Sequence, residues 1–495
     1  MAPPGIVVLV VDPRHHLAFQ QDSSCDGLHA IALEAGLEAG TVPSGKLETK
    51  PGFWAKPCIS RANAMTNPET GAVDDCKPDT QAMPFVLPLP VRLLNRVGAR
   101  LERVGAFRNL LSVDSIIKQA KKGTGLSDWG DDDFLTPLEL LTQPDTDELR
   151  ITFFGKYSLR RELVRCLSNR LLIRDEIKRH PETLSETVSR PLFIVGLPRI
   201  GSTLLQRLLS QDSHCRPLLH WETLQPAPAP NPRTHGSDPR IENAEREMKS
   251  VRRFFPEPVY AAMHFADVTQ PEECWFLLQN TLMVPGPFFV MANFPEYLAW
   301  QQEQDLRNAY AFYKLQLQIL QRNFPPAHWI LKASDHLPNL GVLLSTFPDA
   351  CVVHLHRNPQ EVVPSFANIA IKSLEMTNTL DRDVVTELPQ QFMDGFLRDI
   401  ERAMAARKQA DPRRILDVHY RELVKDPVGV IRQIYEYFGY SFDGQFETRI
   451  VKWLDENPKE KHGTHRYSLE DFGLTPEKVN SRFSDYCEEF GIVSG

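Results

Sequence analysis

The sequence has no C-x-x-C pair, no apolar run long enough to cross a membrane, and no surplus of positive charge. Each lack excludes something. Eight scattered cysteines make a disulfide framework or a zinc site a poor expectation and point to reduced thiols in a cytoplasmic protein. The longest early apolar run, "GIVVLVVD" (5–12), has eight residues against the ~18 a membrane helix needs. No basic n-region precedes it, so neither a signal peptide nor an anchor is expected, and the run reads as a strand. A net charge of −8 argues against wholesale nucleic-acid binding; any anionic ligand must be met by locally placed Arg and Lys. No internal repeat is seen.

What is present is ordinary globular material: 495 residues, 42% hydrophobic and 24% charged. Residues 1–64 are rich in Gly, Pro and small side chains and read as a poorly ordered extension. Residues 65–185 read as a helical N-terminal region. There "VRLLNRVGARLERV" spaces Leu and Val at three and four, and "TPLELLTQ" offers Thr136 as N-cap with Pro137 after it. Residues 186–495 carry four short apolar runs, "PLFIVG", "HWILK", "ACVVHLH" and "RRILDVHY", separated by helical or loop sequence. Such runs read as buried parallel strands, hence an α/β fold: a P-loop-like central parallel sheet flanked by helices. Ligands of such sheets sit beyond the carboxyl ends of the strands.

After the first run comes "GLPRIGST" (196–203). It nearly fits the Walker A pattern, but Ser202 stands where the lysine belongs. Gly196 and Gly201 let backbone N–H groups face an anion, and a helix starting at Ser202 adds its unpaired N–H groups. Ser202 and Thr203 offer hydroxyls, and Arg199 a guanidinium fork. After the second run, Lys332, Asp335 and His336 cluster; Lys332 is suited to neutralise a leaving oxygen and His336 to take a proton. After the third, Arg357 and Ser365 form a second anion pocket, separate from the first. After the fourth, Tyr420 offers a flat face for a nucleobase or a core ring. A basic loop near 457–474 carries Lys461, His465 and Arg466.

Two anion pockets, an aromatic slot and a Lys/His pair describe a nucleotide with phosphate at two places. No Walker B carboxylate stands out, which argues against Mg²⁺-dependent ATP hydrolysis. A P-loop NTPase or kinase with a degenerate Walker A, and a non-catalytic nucleotide-binding protein, stay open as alternatives.

Over roughly residues 130–495 the chain resembles the PAPS-dependent sulfotransferases, whose donor is 3′-phosphoadenosine-5′-phosphosulfate. "FIVGLPRIGSTLL" is similar to their 5′-phosphosulfate loop in the P-R-x-G-[ST]-[ST] form of the bacterial-type branch. "VVHLHRNPQEVVPSFANI" resembles their 3′-phosphate motif, "ILKASDHLP" the segment bearing the catalytic histidine in cytosolic members, and "HYRELVKDP" the stretch whose tyrosine lies near adenine. "KHGTHRYSLEDFGL" and "HWETLQPAP" are also typical of that branch. Two departures stand out. Ile200 replaces the usual Thr or Ser, and two extra residues separate Lys332 from His336.

The resemblance implies sulfuryl transfer from PAPS to a hydroxyl or amine, giving 3′,5′-ADP, with no metal. Arg199, Gly201, Ser202 and Thr203 would hold the 5′ end, Arg357 and Ser365 the 3′-phosphate, and Tyr420 the adenine. Lys461, His465 and Arg466 would close over the nucleotide. Lys332 and Arg199 would stabilise the leaving group. His336 is the expected base and Glu222 its rival; Glu272 and Glu273 of "QPEECW" are weaker acceptor-side candidates. The expected acceptor is a small molecule, lipid or carbohydrate, and its identity and the oligomeric state stay open.

Overall fold

The structure is a computed structural model. It describes residues 87–493 apart from 106, 145–148, 255–266, 287, 289–290 and 459–467, together with the short strand pair 10–11 and 17–18. The chain divides into two compact units, Met1–Gln81 and Ala82–Gly495. In the first, Val10–Val11 pairs antiparallel with Leu17–Ala18, so two residues of the early apolar run are strand. The rest of the expected extension lies outside the described residues.

The second unit is built on five parallel strands: β1 (Leu192–Val195), β2 (Cys215–Pro217), β3 (His328–Lys332), β4 (Cys351–His356) and β5 (Ile415–His419). Their order is β2-β3-β1-β4-β5, with β1 at the centre. Four of the five are the apolar runs. The edge strand β2 has only three residues and one is Pro217, so periodicity could not show it.

Alternation along the strands divides the core into two layers. Leu192, Ile194, Ile330, Val353 and Leu355 face one layer, which α4 (Ser202–Leu209), α6 (Pro359–Thr377) and α7 (Arg382–Arg407) help to cover. Phe193, Val195, Trp329, Leu331 and Val352 face the other, beneath α5 (Arg307–Gln321). A third cluster joins α2 (Val113–Thr124) to the long α3 (Phe153–Arg179), and α1 (Leu89–Arg103) also packs on α3. The expected cap at Thr136 is displaced. That helix spans Leu135–Leu141, with buried Phe134 at its cap position and no side-chain cap bond. Apolar packing of Phe134, Leu138 and Leu141 outweighs the local capping signal there.

Candidate active site

The turn after β1 is held in conformations few residues adopt. Gly196 has φ +143° and Gly201 φ +90°, and between them Arg199 takes φ +67° without being glycine. A side chain at Gly201 would put its Cβ 2.5 Å from the Tyr420 ring, so backbone and ring are in direct contact. Gly201 caps α4 without any side-chain bond, leaving the first N–H groups of the helix for a ligand. Ile200 is buried against Gly196 and belongs to the sheet core, which accounts for an apolar residue at that position.

The residues expected to form two separate anion pockets are in contact with one another. Arg199 Nε donates to Ser365 Oγ at 3.0 Å. Arg357 Nη1 donates to the Arg199 carbonyl at 2.8 Å. The Arg357 guanidinium also lies 4.3 Å over the Tyr420 ring, while its Nε and Nη2 bond Glu361. Pro359 opens α6 at N1, and one turn on Pro364 lies inside the helix beside buried Ser365. Thus the segments after β1, β4 and β5 bring Arg199, Arg357 and Tyr420 together beyond the carboxyl ends of the strands.

Beside it, β3 delivers Lys332. Alternation places it on the same face as Ile330, toward α4, and its Nζ donates to Thr203 Oγ1 at 3.0 Å and Glu273 Oε1 at 2.6 Å. Glu273 is partly exposed. Its neighbour Glu272 is paired with His220 at 3.1 Å. Burial alone would raise the Glu272 carboxyl, but the His220 bond and nearby Lys332 hold it below the usual carboxylate range. Half-buried Asp335 has the opposite fate: desolvation and then the Glu273 charge push it up to about 6. Asp399 on α7 is pushed to about 7 by desolvation and then by Asp335. Glu273, Asp335 and Asp399 are thus an acidic group near enough to perturb one another. The sequence offered no signal for Asp399, which arrives from a helix 64 residues after Asp335.

His336 is not brought to this cluster. It is fully buried among Phe193, Tyr310 and Tyr313, on the opposite layer of the sheet, with Nδ1 3.0 Å from the Tyr310 hydroxyl. Desolvation lowers its imidazole to about 3. Glu222 is likewise enclosed. Its carboxylate pairs with Arg216 and His235 and accepts from the Leu219 N–H, and these partners outweigh desolvation to hold it low. Lys461, His465 and Arg466 lie outside the described residues.

A second polar cluster underlies Arg357. His354, His356 and Asp417 have ligand atoms close enough for a metal. Those atoms are engaged otherwise: Arg407 bonds both Asp417 oxygens at 2.7 Å and His354 Nδ1 at 2.9 Å. His356 is held between Asp417 and the Tyr486 hydroxyl, each at 2.9 Å. Burial pushes both imidazoles down. The guanidinium supplies the positive charge this cluster needs.

A profile described as the sulfotransferase family matches residues 191–444. The crystal structure of sulfotransferase STF1 from Mycobacterium tuberculosis H37Rv superposes with TM-score 0.67 at 32% identity, over 76% of this chain and 98% of that one. Sulfotransferase STF9 from Mycobacterium avium gives TM-score 0.70 at 29% identity, over 78% and 98%. Omega-hydroxy-beta-dihydromenaquinone-9 sulfotransferase Stf3 of Mycobacterium tuberculosis is 26% identical over 312 residues, 59% of this chain and 74% of that protein.

Proposed function

The chain belongs to the sulfotransferase family, and from that premise we propose that it moves a sulfuryl group from PAPS to the hydroxyl of an apolar acceptor, releasing 3′,5′-ADP. One observation carries the donor assignment: Arg199, Ser365, Arg357 and Tyr420 are linked by hydrogen bonds and ring contact around a glycine with no room for a Cβ. A cradle with cations toward two phosphates and a ring for a base suits a 3′,5′-bisphosphorylated adenosine. Bound there, the donor supplies the electrophilic sulfur.

The α4 N-terminus, Ser202 and Thr203 bind the 5′-phosphate end. Lys332 and Arg199 meet the negative charge that develops on the oxygen bridging phosphorus and sulfur. The acceptor oxygen forms its bond to sulfur as the bridging S–O bond breaks. That electron pair stays with the 5′-phosphate. The acceptor proton goes to Glu273, the partly exposed carboxylate that Lys332 holds beside Thr203. His336 and Glu222, fully buried, serve the fold in this reading. The apolar acceptor follows from the hydroxylated menaquinone named for Stf3.

The test is a transfer assay with ³⁵S-labelled PAPS and hydroxylated quinones or polyprenols, beside calorimetry with PAP, ATP and AMP. Label transfer and a preference for PAP over both other nucleotides are expected. Tighter binding of ATP with Mg²⁺ would favour the NTPase reading. PAP binding without transfer to any hydroxyl acceptor would favour a non-catalytic protein.

A further inference from the structure

Helix α1 has two faces, and only one is used by the fold. Val91, Leu94 and Gly98 form a buried stripe against α3; a Cβ at Gly98 would lie 2.1 Å from the Phe153 ring. At 100° per residue, the opposite arc of about 120° holds Arg92, Arg96, Arg100 and Arg103 with Leu89, Leu93 and, just past the helix end, Val104. All seven are exposed, Leu89 at 58%, Leu93 at 50% and Val104 at 70%. The helix has one acid, Glu102, and it is turned to Lys156 at 2.9 Å. Among the described residues no carboxylate pairs with the four arginines. The next helix, α2, adds exposed Lys118 and Lys122. Residues 87–125 hold eight basic and two acidic side chains, net +6, in a chain of −8, which leaves −14 for the remainder.

We propose that the outward face of α1 docks on an anionic lipid bilayer, with Leu89, Leu93 and Val104 entering the headgroup boundary and the arginines meeting lipid phosphates. Cations alone would suit any polyanion. Large apolar side chains interleaved with them suit an interface that is charged above and apolar below. The concentration of positive charge in one segment of an acidic chain orients this face toward the bilayer while the rest is repelled. The inference does not depend on the donor or acceptor assigned above.

Flotation of the full chain with vesicles tests it. One set is phosphatidylcholine; the other contains about a third phosphatidylglycerol. Binding is expected to the anionic set only, and to weaken as salt is raised. Arg96→Gln with Arg100→Gln should lower the partition coefficient roughly five-fold per arginine. Leu89→Gln with Leu93→Gln should lower it about ten-fold. Both variants change exposed side chains, so their melting temperatures should match the parent, and turnover of a water-soluble acceptor should be unchanged. Equal binding to both vesicle types would overturn the proposal. So would full binding by the leucine variant, which would leave only a charge contact of the kind an acidic protein makes.

Discussion

Lys332 holds Glu273 and Thr203 together, with Nζ 2.6 Å from the carboxylate and 3.0 Å from the hydroxyl. A cation between the acceptor-side carboxylate and the phosphate loop couples the two halves of the proposed transfer. Glu273→Gln keeps the shape and removes the base. Turnover should fall by about 10²-fold or more while PAP affinity stays close to that of the parent. Steady-state kinetics beside calorimetry decide this; near-normal turnover would take Glu273 out of the mechanism.

Arg357 bridges the loop and the aromatic ring through the Arg199 carbonyl and the Tyr420 face. Arg357→Ala should weaken PAP binding by roughly 1.5–3 kcal/mol, the worth of a hydrogen bond to a charged group. AMP, with no 3′-phosphate, should lose much less. Equal losses for PAP and AMP would remove Arg357 from the 3′-phosphate.

Gly201 meets Tyr420 where a Cβ would stand, at a positive φ. Gly201→Ala is expected to displace the ring, strain the turn and lower PAP affinity by at least an order of magnitude. Calorimetric affinity equal to that of the parent would mean that the turn and Tyr420 move apart freely.

Arg216 stands between a fully buried carboxylate and the rings of Trp329 and Phe324. Arg216→Ala leaves Glu222 buried with only His235 and the Leu219 N–H beside it. A loss of about 3–5 kcal/mol in stability is expected, the cost of an uncompensated buried charge. Urea denaturation measures it; a loss under 1 kcal/mol would show that the pair is not needed by the fold.

His336 is neutral in the folded protein, since desolvation lowers its imidazole to about 3. An unfolded imidazole titrates near 6.5, so the unfolded chain binds the extra proton between those values. Stability owed to neutral His336 is whole above ~6.5 and is lost by about 1.4 kcal/mol per pH unit as pH falls below it. His336→Gln lacks that slope. The stability gap between parent and variant should narrow from pH 7 to pH 5, and turnover of the variant at pH 7.5 should stay within several-fold. A constant gap would place His336 in contact with water, and a turnover collapse would restore it as the base.

Much of this was legible in the chain because the signals are local. Four strands are continuous apolar runs; Lys332 ends one, Arg357 and Tyr420 directly follow two others, and Arg199 lies in the turn after β1, so all four had to gather beyond the carboxyl ends of the strands. The glycine turn proposed for the donor phosphate is likewise written in consecutive residues, Gly196 to Thr203. The three-residue strand β2 carries no period to read, and the cap at Thr136 yielded to the packing of Phe134.

Sequence alone determined the fold class, the family and the set of cations beyond the carboxyl ends of the strands, because strand periodicity and loop composition act over a few residues. Only the tertiary structure decided which acidic or basic groups are free to react. His336 and Lys332 are four residues apart, yet the chain carries one into the apolar layer below the sheet and holds the other at its edge. Glu222 and Glu273 are both glutamates near turns, but a buried arginine claims the first and leaves the second open to solvent. Burial and partnership depend on contacts between different elements, such as Lys332 with Thr203 and Phe193 with His336, and those contacts exist only once the sheet is assembled.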